Sequence, residues 1–105
     1  MPRATRDGGR YEVHSSGLIA SRLKEIQKRA KAQGRGEAVL SAIRSMWHRL
    51  SLDPVEFGEP LYRLPALRLE VRHAAIDPLL VHFAVYEDKP LVFIKSVALL
   101  PEQTP

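Results

Sequence analysis

The chain contains no cysteine, so disulfides, thiolate zinc centres and cysteine nucleophiles are excluded. Such a chain suits a reducing compartment, and the expected location is the cytoplasm. It has no run of eighteen apolar residues, the length a helix needs to cross a bilayer, so no membrane partner is expected. The first ten residues, MPRATRDGGR, lack the apolar stretch of a secretory signal and read as a flexible basic tail. There is no internal repeat and no low-complexity segment. The glycine pairs Gly8-Gly9 and Gly34-x-Gly36 lack the strand-then-helix setting of a phosphate loop. No paired-carboxylate site and no Ser/His/Asp arrangement can be read from the spacing. Nothing in the residues calls for a cofactor.

What is present describes an ordinary folded chain. Its 105 residues suit one domain, and at 45% hydrophobic they can form a core that a disordered chain could not. The charge is uneven along the chain. Residues 1–50 hold 11 Lys and Arg against 4 Asp and Glu, whereas residues 51–105 hold 5 against 8. The basic half could face an acidic partner such as nucleic acid, or could simply be the wet side of soluble helices.

The hydrophobic period divides the chain in two. Tyr11-Glu12-Val13-His14 alternates as a short strand. Ser15 or Ser16 then offers a hydroxyl to cap a helix over about Leu18 to Ala32. Ile19, Leu23, Ile26 and Ala30 share one face of it, beside a basic stripe of Lys24, Lys28, Lys31 and Arg35. Gly34 can take the left-handed conformation that closes a helix. A second helix spans about Glu37 to Leu50, with Val39, Ile43, Met46, Trp47 and Leu50 inward, and ends at Asp53-Pro54. The short link implies an antiparallel helical hairpin. Leu67 to Arg72 then alternates strictly, predicting a strand with Leu67, Leu69 and Val71 on its dry face and Arg68, Glu70 and Arg72 on its wet face. Ala74 to Pro78 reads as a connection. Leu79 to Tyr86 is a second strand with Leu79, Val81, Phe83 and Val85 on one side and His82 on the other. Glu87 to Pro90 is a turn, and Leu91 to Val97 is a strand apolar enough for a covered position. The expected architecture is α+β: a short N-terminal strand, a two-helix hairpin and a three-stranded antiparallel meander packed on the helices. The domain would occupy residues 11–100, with short tails over 1–10 and 101–105.

In its second half the chain reads Phe57-Gly58-Glu59-Pro60-Leu61-Tyr62-Arg63-Leu64, then Leu67-Arg68-Leu69-Glu70-Val71, then Val81 to Asp88, then Val92-Phe93-Ile94-Lys95-Ser96-Val97. With the order strand, helix, helix, three strands, this resembles the RelE/ParE toxin superfamily, small basic proteins paired with antitoxins. The resemblance implies the fold just described, an antitoxin partner and a nucleic-acid-bound target, either the ribosome or DNA gyrase. RelE-type members cut messenger RNA on the ribosome, using arginine and lysine at the phosphate and a late tyrosine or histidine for proton transfer. Here Leu80 holds the place of one such arginine, Ala98-Leu99-Leu100 the place of a basic pair, and the tail Pro101 to Pro105 has no Tyr or His. Cleavage needs positive charge at the developing pentacoordinate phosphate and groups that move protons, and leucine supplies neither. ParE-type members, which poison gyrase, need no such site.

The residues themselves offer a short set of candidates. Arg68, Glu70 and Arg72, joined by His82 and Lys95 where the registers align, could form a basic, titratable face that binds RNA, or a solvated sheet face of cross-strand ion pairs, and relocated catalysts of an RNase would be drawn from Arg63, Arg68, Arg72, His73, His82 and Lys95. Lys24, Lys28, Lys31, Arg35 and Arg63 could add phosphate contacts. The helix stripe lacks interleaved aromatics, so binding there would be electrostatic and salt-sensitive. The spacings from His73 to Asp77 and from His82 to Glu87 match no metal pattern, and no metal is expected. A toxin that acts by binding, a ribosome-dependent endonuclease with relocated catalysts and a non-toxic interaction domain all stay open. Self-association stays open with them.

Overall fold

A computed structural model describes residues 10–101 of the chain. The tails expected over residues 1–10 and 101–105 fall almost wholly outside the described residues. The first strand, β1, spans Glu12–Ser15 and leads into helix α1, Gly17–Ala32. Ser16 occupies the N-cap position, but its hydroxyl makes no capping bond. Its backbone carbonyl instead accepts from Ile19 at 3.1 Å. Gly34 closes α1 as its sequence setting suggests. At φ 75° it lets Arg35 N–H reach the Ala30 carbonyl at 2.7 Å while its own N–H reaches that of Lys31 at 3.1 Å. This paired closure satisfies carbonyls that the helix end would otherwise leave bare.

Helix α2, Gly36–Leu52, returns antiparallel, and Pro54 starts a one-turn helix, α3, Pro54–Phe57. Four antiparallel strands follow: β2 Glu59–Leu64, β3 Leu69–Ile76, β4 Leu79–Tyr86 and β5 Leu91–Leu99. The strand order is β1-β5-β4-β3-β2, with β1 parallel to β5 and the other pairs antiparallel. The fold is therefore α+β with a five-stranded mixed sheet, and the expected three-stranded meander is corrected in two respects. The stretch before Leu67, to which the sequence reading assigns no strand, holds an edge strand, and the N-terminal strand joins the same sheet in parallel. Pro60 explains the first difference. It breaks the alternation that marks a strand, yet an edge strand tolerates a residue that cannot donate to a ladder. The link between β3 and β4 is also shorter than expected, because Ala74 to Ile76 stay in β3 and only Asp77-Pro78 turns.

The helices cover one sheet face only. Ile19, Leu23, Ile26 and Ala30 of α1 and Val39, Ala42, Ile43, Met46 and Leu50 of α2 meet Leu79, Val81, Phe83 and Val85 of β4 and Val92, Ile94 and Val97 of β5. Full burial of such a side chain contributes roughly 1.5–3 kcal/mol, so this single core dominates the stability. Trp47 packs at its edge, and Phe57 stacks on Phe83 with centroids 6.0 Å apart. β5 lies inside the sheet between β1 and β4, which accounts for its apolar residues on both sides.

Strand β3 faces opposite to expectation. Its register puts Glu70 beside Val85, Arg72 beside Phe83 and Ala74 beside Val81, all on the helix side. Leu69 and Val71 lie on the other side, where they form a small separate cluster with Ala84 and Tyr86. The strand alternates as expected, but its apolar residues pack on the outer face. Leu67 and Arg68 are not in the strand. Leu67 ends a 3-10 turn and is 60% exposed, and Arg68 sits in the left-handed region at φ 54°.

Candidate functional site: the open face of the sheet

Opposed residues in a sheet ladder share a side, so the register fixes what the outer face displays. One row crosses it as Tyr62, Val71, Ala84, Phe93 and His14. The next row reads Glu59, His73, His82 and Ser96. Beyond it lie Ala75, Leu80 and Ala98, and on the opposite flank Leu64, Leu69 and Tyr86. Val71 and Ala84 are buried by their neighbours, while Tyr62 (49%), Phe93 (39%) and Leu64 (37%) remain open to solvent. The face is thus an apolar stripe flanked by a polar row, with no helix over it. Tyr62 belongs to this exposed stripe.

The candidate residues separate into three groups. His73 and His82 come together as direct cross-strand partners, their ring centroids 5.8 Å apart and the rings tilted by 32°. His82 Nδ1 lies 3.4 Å from Ser96 Oγ, and His73 Nε2 lies 4.0 Å from Glu59 Oε1. Lys95 is the extra residue of a bulge in β5 next to Ser96 and is exposed. A cleft of about 340 Å³ opens beside His73, lined by Phe57, Glu59, Ala74, Ala75 and Leu80.

The arginines do not join that row. Arg72 is 7% exposed on the helix side, where it pairs with Glu70 and donates to the carbonyls of Val55 at 2.8 Å and Gly58 at 2.9 Å. It ties α3 to the sheet and cannot reach a ligand on the outer face, which corrects its place on an exposed basic face. Its burial follows from β3 packing its apolar side outward, so the polar positions had to be accommodated under the helices. Arg63 pairs with Glu87, and that hydrogen-bonded ion pair holds the Glu87 carboxyl below the ordinary glutamate range and raises Arg63. Arg68 stands 3.8 Å from Asp88. The three sheet-half arginines therefore each meet a carboxylate, and the positive surface expected there is largely neutralised.

The third group is the helix stripe. Lys24, Lys28 and Lys31 are exposed on α1, far along the chain from the sheet residues. Arg35 lies past the end of α1 and is committed to Gln33 at 2.9 Å and the Leu100 carbonyl at 2.8 Å, which pins the helix turn to the end of β5. Arg22 was not among the candidates; it donates to the Val97 carbonyl at 3.2 Å and is likewise structural. Sequence reasoning also missed Glu59, Tyr62, Ser96 and Phe93. Their only signal is strand pairing, which places residues distant in sequence side by side. No helix among the described residues is long and apolar enough to cross a membrane. Compared with protein-family models, curated proteins and solved structures, the chain matches none.

Proposed function

We propose that the chain is a toxin-like component of a type II toxin–antitoxin pair that works by binding, with the open sheet face as its contact surface. The observation that carries this reading is the exposed stripe of Tyr62, Phe93 and Leu64 on the sheet face that no helix covers. Exposed aromatic and aliphatic residues grouped on one face characterise binding sites, and aromatics are enriched where interfaces bury most. The resemblance of the sequence motifs to RelE/ParE toxins and the basic helical half support a partner that masks the surface and a nucleic-acid-bound target, ribosome or gyrase. Binding alone suits a chain whose sheet arginines are engaged by Glu70, Glu87 and Asp88.

The test is tight induction in a bacterial host with growth followed, repeated with Tyr62→Asp and Phe93→Asp. Arrest by the parent chain, relieved by both substitutions and by co-expression of a small acidic neighbouring gene, is the expected outcome. Unimpeded growth would remove the toxin reading and leave an interaction domain that retains the fold.

A second reading, an endoribonuclease with relocated catalysts, is favoured by the His73–His82 pair. One imidazole could take a proton from a ribose hydroxyl while the other protonates the leaving oxygen. New messenger RNA ends at ribosomes in the arrested cultures, lost in His82→Ala, would select this reading over the first.

A further inference from the structure

We infer that the groove between α1 and α2, on the exposed side of the helical hairpin, docks an acidic amphipathic helix of a partner protein. The inference concerns the helices and is independent of the reading of the open sheet face. A cleft of about 440 Å³ opens between the two helices, lined by Gln27, Lys28 and Lys31 of α1 and by Gly36, Glu37 and Leu40 of α2.

The cleft has an apolar centre. Leu40 is 40% exposed, although the other large aliphatic side chains of α2 up to Leu50 are buried against the sheet. Gly36 lies one turn before Leu40 on the same face of α2. A Cβ there would meet Lys31 Cα at 3.4 Å, so the helix backbones pass close together at this end, and the missing side chain leaves the space in front of Leu40 unfilled. The methylene stems of Lys28 and Lys31 add apolar walls while their ammonium groups stay in water.

The charge around that centre is one-sided. Lys24 lies one turn before Lys28 on α1, and Arg44 lies one turn beyond Leu40 on α2. Lys24, Lys28, Lys31 and Arg44 are all exposed, and among the described residues none of them enters an ion pair. Glu37, the carboxylate among the lining residues, pairs with none of them either. The sheet-half arginines, by contrast, each meet a carboxylate.

This combination selects the occupant. A nucleic-acid backbone would satisfy the cations but has no apolar ridge to cover Leu40, and the cleft offers no aromatic ring for base stacking. A second copy of the hairpin would bring like charges together. A helix with apolar residues three and four apart, flanked by Asp or Glu, meets both demands. Its apolar ridge enters the groove between two helices, and its carboxylates reach the cations on either side. Exposed ion pairs contribute little and are screened by salt, so the contact with Leu40 carries much of the affinity.

The test titrates a labelled synthetic helical peptide, with leucines on one face and glutamates beside them, with the full chain, followed by fluorescence anisotropy and amide NMR. Saturable binding that weakens with salt and shifts the amides of residues 27–40 is the expected result. Leu40→Gln, and Lys28→Glu combined with Lys31→Glu, should each weaken binding about tenfold. These positions are exposed, and circular dichroism checks that the helices persist. Tyr62→Asp on the sheet face should leave the affinity unchanged, so this proposal and the toxin reading fail separately. A peptide with lysines in place of the glutamates should not bind. Absence of binding, full affinity in Leu40→Gln, or tighter capture of a single-stranded RNA oligonucleotide at the same lysines would overturn the proposal.

Discussion

Replacing Arg72 with methionine removes the guanidinium under β3 while keeping most of its bulk and its apolar stem. Arg72 is 7% exposed and donates to two backbone carbonyls of the α3 segment, Val55 at 2.8 Å and Gly58 at 2.9 Å. A hydrogen bond from a charged donor contributes about 1.5–3 kcal/mol net, so losing two costs about 3–6 kcal/mol. Two effects reduce this. Arg72 Nε is buried without a partner, and relieving that desolvation returns on the order of 1–3 kcal/mol. Glu70, with 31% of its side chain exposed, can rehydrate when its partner leaves. The expected loss is then about 2–3 kcal/mol, read from urea unfolding followed by far-UV circular dichroism at unchanged m-value. Arg72→Lys should lose part of the same stability, because Nη2 serves both carbonyls while Nη1 meets Glu70, and the single nitrogen of an ammonium cannot occupy both positions. The part of the loss that comes from the two neutral carbonyl acceptors should persist in high salt, while the part that comes from the Glu70 pair should be screened. A change below about 0.5 kcal/mol, the range of ordinary surface substitutions, would refute the clamp.

Gly58→Ala should destabilise by about 1–3 kcal/mol in thermal melts, an overpacking cost. A Cβ there would meet Phe83 Cζ at 2.6 Å and the His73 carbonyl at 3.0 Å, and neither the stacked ring nor the strand can retreat freely. Gly34→Ala should cost about 1 kcal/mol in chemical denaturation, a purely backbone effect. At φ 75° an added Cβ would touch nothing within 4 Å but would strain the left-handed turn. Glu87 should titrate below an ordinary glutamate by NMR, because the hydrogen bond from Arg63 favours its charged form. Since its folded pKa is lowered, its contribution to stability is present above the ordinary carboxylate range and disappears as pH falls through the lowered value. In Arg63→Ala the midpoint should return to the ordinary range, and an unmoved midpoint would show that the ion pair is not formed in solution.

Local patterning in the sequence was enough to define the two long helices, α1 and α2. Apolar residues three and four apart identify Ile19, Leu23, Ile26 and Ala30, or Val39, Ile43, Met46 and Leu50, as buried positions before any tertiary contact is known. Gly34 marked the end of α1 because few other residues adopt the backbone that closes a helix. Alternation likewise located β4 and its helix-facing side, and the missing cysteines removed whole classes of chemistry. These features depend on a residue and its near neighbours along the chain.

Only the tertiary structure decided which way β3 faces, that Glu59–Leu64 is an edge strand, and that β1 pairs in parallel with β5. Alternation separates two sets of side chains but does not say which set meets the helices, and in β3 both sets found cover. The apolar set packs around Ala84 and Tyr86, and the set containing Arg72 packs under α3. The candidate site was subject to the same limit. Each histidine and arginine was visible as a residue, but their company was not. Arg72 took up Glu70 from its own strand, but strand pairing set His82 beside His73 and Ser96 and brought Glu87 and Asp88 to Arg63 and Arg68. Those neighbours are brought together by ladder hydrogen bonds between distant segments, and the period of one strand carries no record of the register it will adopt with the next.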